Sequence, residues 1–168
     1  MMKMQKLLFI AVFIGFCALV SGQTAAEYQA NYAKRIKLET INGVYIPMSL
    51  EDAFSELNRL ADPKGLANFK NAPDSMIEKS HFGLIQWVQH NWGLDDGSRL
   101  SYFMKTKGIS TPDDMSRVIV VTYHRRLNGQ PLKLEEEAAA IEKRIKDDMM
   151  RRDSLAPKIV IEKRPHKP

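Results

Sequence analysis

Cysteine is almost missing from this chain: one residue in 168, Cys17, inside an N-terminal apolar run. Lipoprotein processing wants a small residue just before the modified cysteine. Phe16 stands there instead, and apolar residues continue to Val20, so Cys17 reads as part of a discarded segment. What remains then has no cysteine, which excludes disulfides and thiol nucleophiles. Other absences narrow the chemistry further. There is no Gly-rich phosphate loop, and no internal repeat. No nucleophile-elbow context surrounds Ser98 or Ser116. His81 and His90 are nine residues apart, without a glutamate in the spacing of a helical zinc-protease motif. A dense basic stripe with interleaved aromatics, the footprint of nucleic-acid binding, is also missing.

The opening residues carry the clearest positive signal. Lys3 and Lys6 precede an unbroken apolar run from Leu7 to Val20, and Val20-Ser21-Gly22 offers small residues for cleavage. That order is the order of a secretory signal peptide, with Gln23 as the expected new N-terminus. The run falls short of the ~18–20 residues a membrane-spanning helix needs, so no transmembrane anchor is expected after processing. Removal of these 22 residues leaves 146 of the 168, enough for one domain with a sizeable core. The segment takes two lysines and no acid with it, so the formal charge of +5 falls to +3. Much of the remaining excess lies near the ends, in Lys34, Arg35 and Lys37 and again in Lys158, Lys163, Arg164 and Lys167. Distributed charge of this size implies a solvated surface rather than a polyanion site.

Residues 23–35 are polar and small with no usable period, and read as a linker. Leu38, Ile41, Val44 and Ile46 then surround Asn42-Gly43, the pattern of a type I′ β-hairpin. Ser49, with Asp52 three residues on, opens a helix through Leu50, Ala53, Phe54, Leu57 and Leu60, which Asp62-Pro63 ends. Residues 63–80 read as a short helical turn or two. A second strong helix spans about Ser80 to Asn91, with Leu84, Ile85, Val88 and Trp92 on one side and Gly93 as its stop. A third runs from Arg99 to Lys107. Thr111-Pro112-Asp113-Asp114 is the best helix start in the chain. It favours helix over strand for the apolar run Val118–Tyr123, with Met115, Ile119, Tyr123 and Leu127 as the stripe. A last helix from about Leu134 to Asp153 has a narrow stripe of Leu134, Ala138, Ile141, Ile145 and Met149, suited to a peripheral arm or a two-helix seam. Ile159-Val160-Ile161 would add a strand, and the tail from Lys163 is basic.

Between His81 and Gly129 the chain resembles a bacterial domain family of unknown function. The resemblance rests on His81-Phe82-Gly83-Leu84, Asn91-Trp92-Gly93-Leu94, Ser98-Arg99-Leu100, Gly108-Ile109, Pro112-Asp113-Asp114-Met115-Ser116 and Tyr123-His124-Arg125. Tyr45-Ile46-Pro47, Leu50 and Ala53-Phe54 fit the upstream part of the pattern. It implies a small, mostly helical domain and brings no activity with it.

Among the polar residues, His81 falls on the buried side of its helix and His90 on the opposite, solvated side. His124 flanks the stripe of the fourth helix. His81, His124, Asp113 and Asp114 are the weak catalytic candidates. Acids in a first helical turn are already explained by the macrodipole, at ~0.3–1 kcal/mol each, so the capping reading is preferred for the two aspartates. Asp95 and Asp96 are explained by their turn. Trp92, Arg99 and Tyr102 suggest an aromatic–cationic binding patch, since such residues anchor interfaces. Arg126, on the apolar side of the fourth helix, is a further binding candidate. Metal ligation needs three or four convergent ligands, which no local cluster supplies, and no cofactor is expected.

The expectation is therefore a mostly α fold of four to five helices with a short N-terminal hairpin and a C-terminal helical arm. Its parts are a signal peptide (1–22), a linker (23–35), a helical domain with the hairpin (36–131), the C-terminal helix (132–155) and a basic tail (156–168). The expected function is that of an exported, non-catalytic binding or protein-interaction module of the bacterial cell envelope, periplasmic or extracellular. Its partner would be another envelope protein, or a second copy through the C-terminal helix. The alternative is a small hydrolase-like enzyme using a histidine with an aspartate.

Overall fold

The protein is described by a computed structural model, for residues 24–79 and 83–155. The hairpin comes where Asn42-Gly43 places it: β1 (Thr40–Ile41) pairs antiparallel with β2 (Val44–Tyr45), Ile41 facing Val44. Asn42 and Gly43 have φ of 51° and 80°, the doubly positive pair a type I′ turn requires.

Eight helices are present among the described residues, more than the four to five expected: α1 (Ala25–Arg35), α2 (Leu50–Leu60), α3 (Pro63–Asn71), α4 (Asp74–Lys79), α5 (Leu84–Asn91), α6 (Arg99–Thr106), α7 (Pro112–Leu127) and α8 (Leu134–Leu155). Two departures account for the difference. Residues 63–79, read as a turn or two, form α3 and α4. Asp62 starts α3, its Oδ1 accepting from the Lys64 and Gly65 N–H groups, with Pro63 at the first position.

The second departure is α1, where the sequence reads as linker. Thr24 and Glu27 form a reciprocal capping box. Tyr28 and Tyr32, one turn apart, stack at 6.4 Å. No residue of α1 is buried, which is why no apolar period shows. The helix is held instead by one aromatic ring and one guanidinium. Tyr32 lies against Gly97 so closely that a Cβ there would overlap its ring. Lys105 Nζ sits 4.4 Å over the same ring, and Arg35 Nε donates to the Gly97 carbonyl at 2.9 Å.

The core is organised around α7. It starts at the anticipated cap, Thr111 Oγ1 accepting from Asp114 N–H. Every residue from Met115 to His124 is buried except Arg117. The expected single stripe is thus a cylinder buried nearly all round, because α5, α4, α8, α2, α3 and α6 all pack on it. A helix enclosed on every side has no polar face to give a period. Around it lie Phe54 and Leu57 from α2, Ile85 and Val88 from α5, Leu100 and Met104 from α6, and Trp92, Leu94 and Ile109 from the connections. α8 contributes one buried side chain, Ile141, in keeping with its narrow stripe. It is fastened by charge as well. Glu137 receives Arg117 at 3.0 Å and Arg125 at 2.8 Å, and Arg144 Nη2 bonds both oxygens of buried Asp114 at 2.7 Å. The possible strand at 159–161 and the start of the second strong helix at 80–82 lie outside the described residues.

Candidate functional site

Three helices and the middle of α7 meet to form an open groove of about 640 Å³. Leu57 and Leu60 come from the last two turns of α2, Leu66 and Phe69 from one face of α3, and Leu84 and Trp87 from the first turn of α5. Tyr123 of α7 lies at the bottom, stacked between Phe54 at 5.8 Å and Phe69 at 5.4 Å. Its hydroxyl donates to Asn58 Oδ1 at 2.9 Å, and burial raises its pKa. The groove is not closed over: Leu60 is 47 % and Trp87 37 % exposed. Ala61, Gly65 and Gly83 complete the lining, and among the described residues no charged side chain takes part in it. The charge nearby is of both signs: the exposed Asp62 carboxylate caps α3 beside Gly65. α3 carries Lys64 and Lys70 and no acid in its helical span; both lysines are exposed and neither is in an ion pair among the described residues.

The groove was not anticipated. Its components are visible in the sequence, but Leu57, Leu60 and Leu84 read as core stripes, and the segment of α3 reads as no more than a short helical turn or two. Leu66 and Phe69, four and seven residues after Asp62, are the available signal for its inward face.

The expected binding patch is not assembled. Trp92 has no exposure at all and packs edge-to-face with Trp87 at 5.8 Å. Its Nε1–H finds no acceptor among the described residues. Arg99 is drawn inward: Nε donates to the Ile46 carbonyl at 2.6 Å, and the guanidinium stands 5.1 Å from the Tyr45 ring centre. It clamps the hairpin to α6 and has little side chain left for a partner. Tyr102 alone is exposed, at 51 %. Arg126, placed on the apolar side by its periodicity, is exposed.

The catalytic candidates do not converge either. His81 lies outside the described residues. Asp113 and Asp114 are consecutive but face apart: Asp113 is exposed and accepts from Gln89 Nε2 at 3.1 Å, while Asp114 is buried between Thr111 and Arg144. Gln89 also donates to Asp95 at 2.9 Å, tying α5 to its C-terminal turn and to the start of α7. His124 does meet a carboxylate, but that of neither Asp113 nor Asp114. Its Nδ1 lies 3.2 Å from Asp74 Oδ1, and its Nε2 is 3.2 Å from the Lys70 carbonyl. Asn128 also donates to that carbonyl. The ring thus sits between the end of α3 and the start of α4, one nitrogen facing each, with 6 % of the side chain exposed. A second cleft brings His90 near Asp95, Asp96 and Arg35. His90 forms no hydrogen bond or ion pair to either acid among the described residues. Among the described residues no group of three or more His, Cys, Asp or Glu is arranged to hold a metal ion. Nor is any described helix long and apolar enough to cross a membrane.

Residues 46–127 match the model of a protein family described as a domain of unknown function, DUF6794. The match begins just after the hairpin and ends with the last residue of α7, so it contains every residue that lines the groove. It agrees with the resemblance drawn from the His81–Gly129 block and its upstream extension. No curated protein and no solved structure matches the chain.

Proposed function

We propose that this protein is an exported, non-catalytic interaction module of the bacterial cell envelope, and that its groove receives an apolar segment of a partner protein flanked by carboxylates. The observation that carries the reading is the groove itself. An open trough walled by leucines, phenylalanine and tryptophan, with no charged lining among the described residues, favours burial of uncharged apolar side chains. Its size suits two or three aliphatic side chains presented by a helix, the helix-in-groove mode of recognition. Trp87 on the rim is the residue type that most often anchors such contacts. At this rim Lys64 and Lys70 outnumber Asp62, which favours acidic flanks over basic ones. Export is supported by the order of residues 1–22. The hydrolase-like alternative draws on the His124–Asp74 contact, but that histidine is wedged between Asp74 and the Lys70 carbonyl and nearly closed off from solvent, which suits a pin between helices better than a base.

The test uses the chain from Gln23 on, which contains every described residue. Two synthetic helical peptides share a Leu face at i, i+4 and i+7, one flanked by Glu and one by Lys. Titration should shift the Trp87 fluorescence with the Glu-flanked peptide at about tenfold lower concentration. Leu66→Asp should abolish the shift, while Trp87→Phe should remove the signal but not the binding seen by calorimetry. Equal binding of the two peptides, or binding that survives Leu66→Asp, would overturn the groove reading. N-terminal sequencing of the cell-envelope form should begin near Gln23; an intact Met1 would overturn the export.

A further inference from the structure

The C-terminal half of α8 runs past the domain. Arg144 bonds Asp114 at the third residue of α7, so at this level α8 reaches the N-terminal end of the helix it packs on. Eleven more residues follow to Leu155, about 16 Å of helix at ~1.5 Å per residue. Over that stretch the hydrogen bonds and ion pairs among the described residues stay within α8, as in Glu142–Lys146, Lys143–Asp147 and Asp148–Arg151. Ile145 is 40 % and Met149 60 % exposed. Ile141 cannot serve as the centre of a helical seam, as its place in the stripe suggests, because it is 3 % exposed against the domain.

We propose that residues 142–152 form a self-complementary antiparallel seam with the same helix of a second copy of this chain. Glu142, Ile145, Met149 and Arg152 follow one another at intervals of three, four and three residues, the spacing that keeps one face toward a paired helix. Antiparallel pairing about position 147 sets Ile145 opposite Met149 of the second copy. The same register sets Glu142 opposite Arg152, twice by symmetry. Parallel pairing would place Glu142 on Glu142 and Arg152 on Arg152, which repel. The charge order along the face therefore selects both the orientation and the occupant: an identical helix supplies the complement to each end. A two-fold axis closes the pair and leaves no open surface for a filament. The contact is small, well under the ~800 Å² per partner of a stable interface, so the dimer is reversible and concentration-dependent.

The inference stands apart from the groove, which no residue of α8 lines, and its test reads mass rather than Trp87. Sedimentation equilibrium of the chain from Gln23 on should show reversible dimer at high micromolar concentration. Glu142→Arg and Arg152→Glu, each alone, should weaken it by about fivefold or more, since two attractive pairs become two repulsive ones. The double variant Glu142→Arg/Arg152→Glu should restore it, which neither a parallel seam nor an unrelated contact would do. Circular dichroism should show the fold kept in all three, with melting changed only slightly, since both side chains are exposed and Glu142→Arg loses only the surface pair with Lys146. A chain that stays monomeric at every concentration, or a double variant no better than the singles, would overturn the proposal.

Discussion

Glu137 is the point at which the attachment of α8 to α7 is most exposed to test. Its carboxylate is 14 % exposed and receives one guanidinium on each oxygen, Arg117 at 24 % and Arg125 at 20 % exposure. Glu137→Ala leaves two mostly buried positive charges facing each other. Arg125 keeps one bond, to the Leu132 carbonyl at 2.9 Å. Breaking a fully buried pair costs about 3–5 kcal/mol, and breaking an exposed one about 0.2–1 kcal/mol. At this burial the cost should be about 2–3 kcal/mol, a large part of the ~5–15 kcal/mol that holds a domain of this size together. Glu137→Gln keeps the shape and one acceptor and should cost about half as much. The pH dependence follows from the sign of the shift. Burial acts to raise the carboxyl pKa, but the bonds from Arg125 and Arg117 outweigh it and hold it below the ordinary value of 4.5. A depressed carboxyl contributes its full stability above the unfolded value and loses it as pH falls through the folded one. Urea unfolding of wild type and Glu137→Gln should therefore differ most at pH 7, and the difference should shrink as pH drops below about 4.5. A double-mutant cycle with Arg125→Ala should show strong coupling. A loss below ~0.5 kcal/mol at pH 7 would place Glu137 among ordinary surface pairs and refute the claim that charge fastens α8.

Two further changes probe the ends of other helices. Gly97→Ala places a Cβ into the Tyr32 ring at a position with φ of +91°. It should lower the melting temperature and detach α1, and a Tyr32→Ala background should recover the steric part while the backbone strain of ~1 kcal/mol remains; equal losses in both backgrounds would mean α1 does not dock there. Thr111→Ala removes both the cap to Asp114 N–H and the bond to the Asp114 carboxylate. About 1–2 kcal/mol should be lost in denaturant unfolding; an unchanged midpoint with loss of peptide binding would instead make Thr111 a contact residue.

What could be read from the chain beforehand divides along physical lines. Features fixed by neighbours in sequence were readable. Asn42-Gly43 dictates its turn through positive φ at two adjacent residues. Thr111-Pro112 dictates a helix start, and that start was enough to overrule the strand-like run after it. Features fixed across space were not. α1 shows no apolar period because it docks through one ring and one guanidinium, and its only local mark is the Thr24–Glu27 capping box. The role of Arg99 could not be seen in its own segment, since its hydrogen-bond partner is a carbonyl 53 residues earlier. His124 likewise finds its carboxylate 50 residues away, at Asp74, and no spacing rule connects the two.

The same division explains why the functional reading turns to the groove rather than to polar residues. The side chains that looked chemically suggestive in sequence, Trp92, Arg99, Asp114 and His124, prove to be enclosed or turned inward. Arg99, Asp114 and His124 each meet an internal polar partner and Trp92 has no exposed surface, so none has much differential interaction to offer a ligand. The unsatisfied surface lies elsewhere, on side chains that read as ordinary core. Leu60 and Trp87 are half-exposed apolar groups over an aromatic stack, and Ile145 and Met149 are exposed apolar groups on an overhanging helix. Apolar surface left in water is where burial by a second molecule still lowers the free energy, by roughly 25 cal/mol per Å². A charge swap on α8 and a charge inserted at Leu66 attack these two surfaces separately. If both leave association untouched, the unburied apolar surface of this protein is not a recognition surface, and the exposed His90 cleft becomes the place to look.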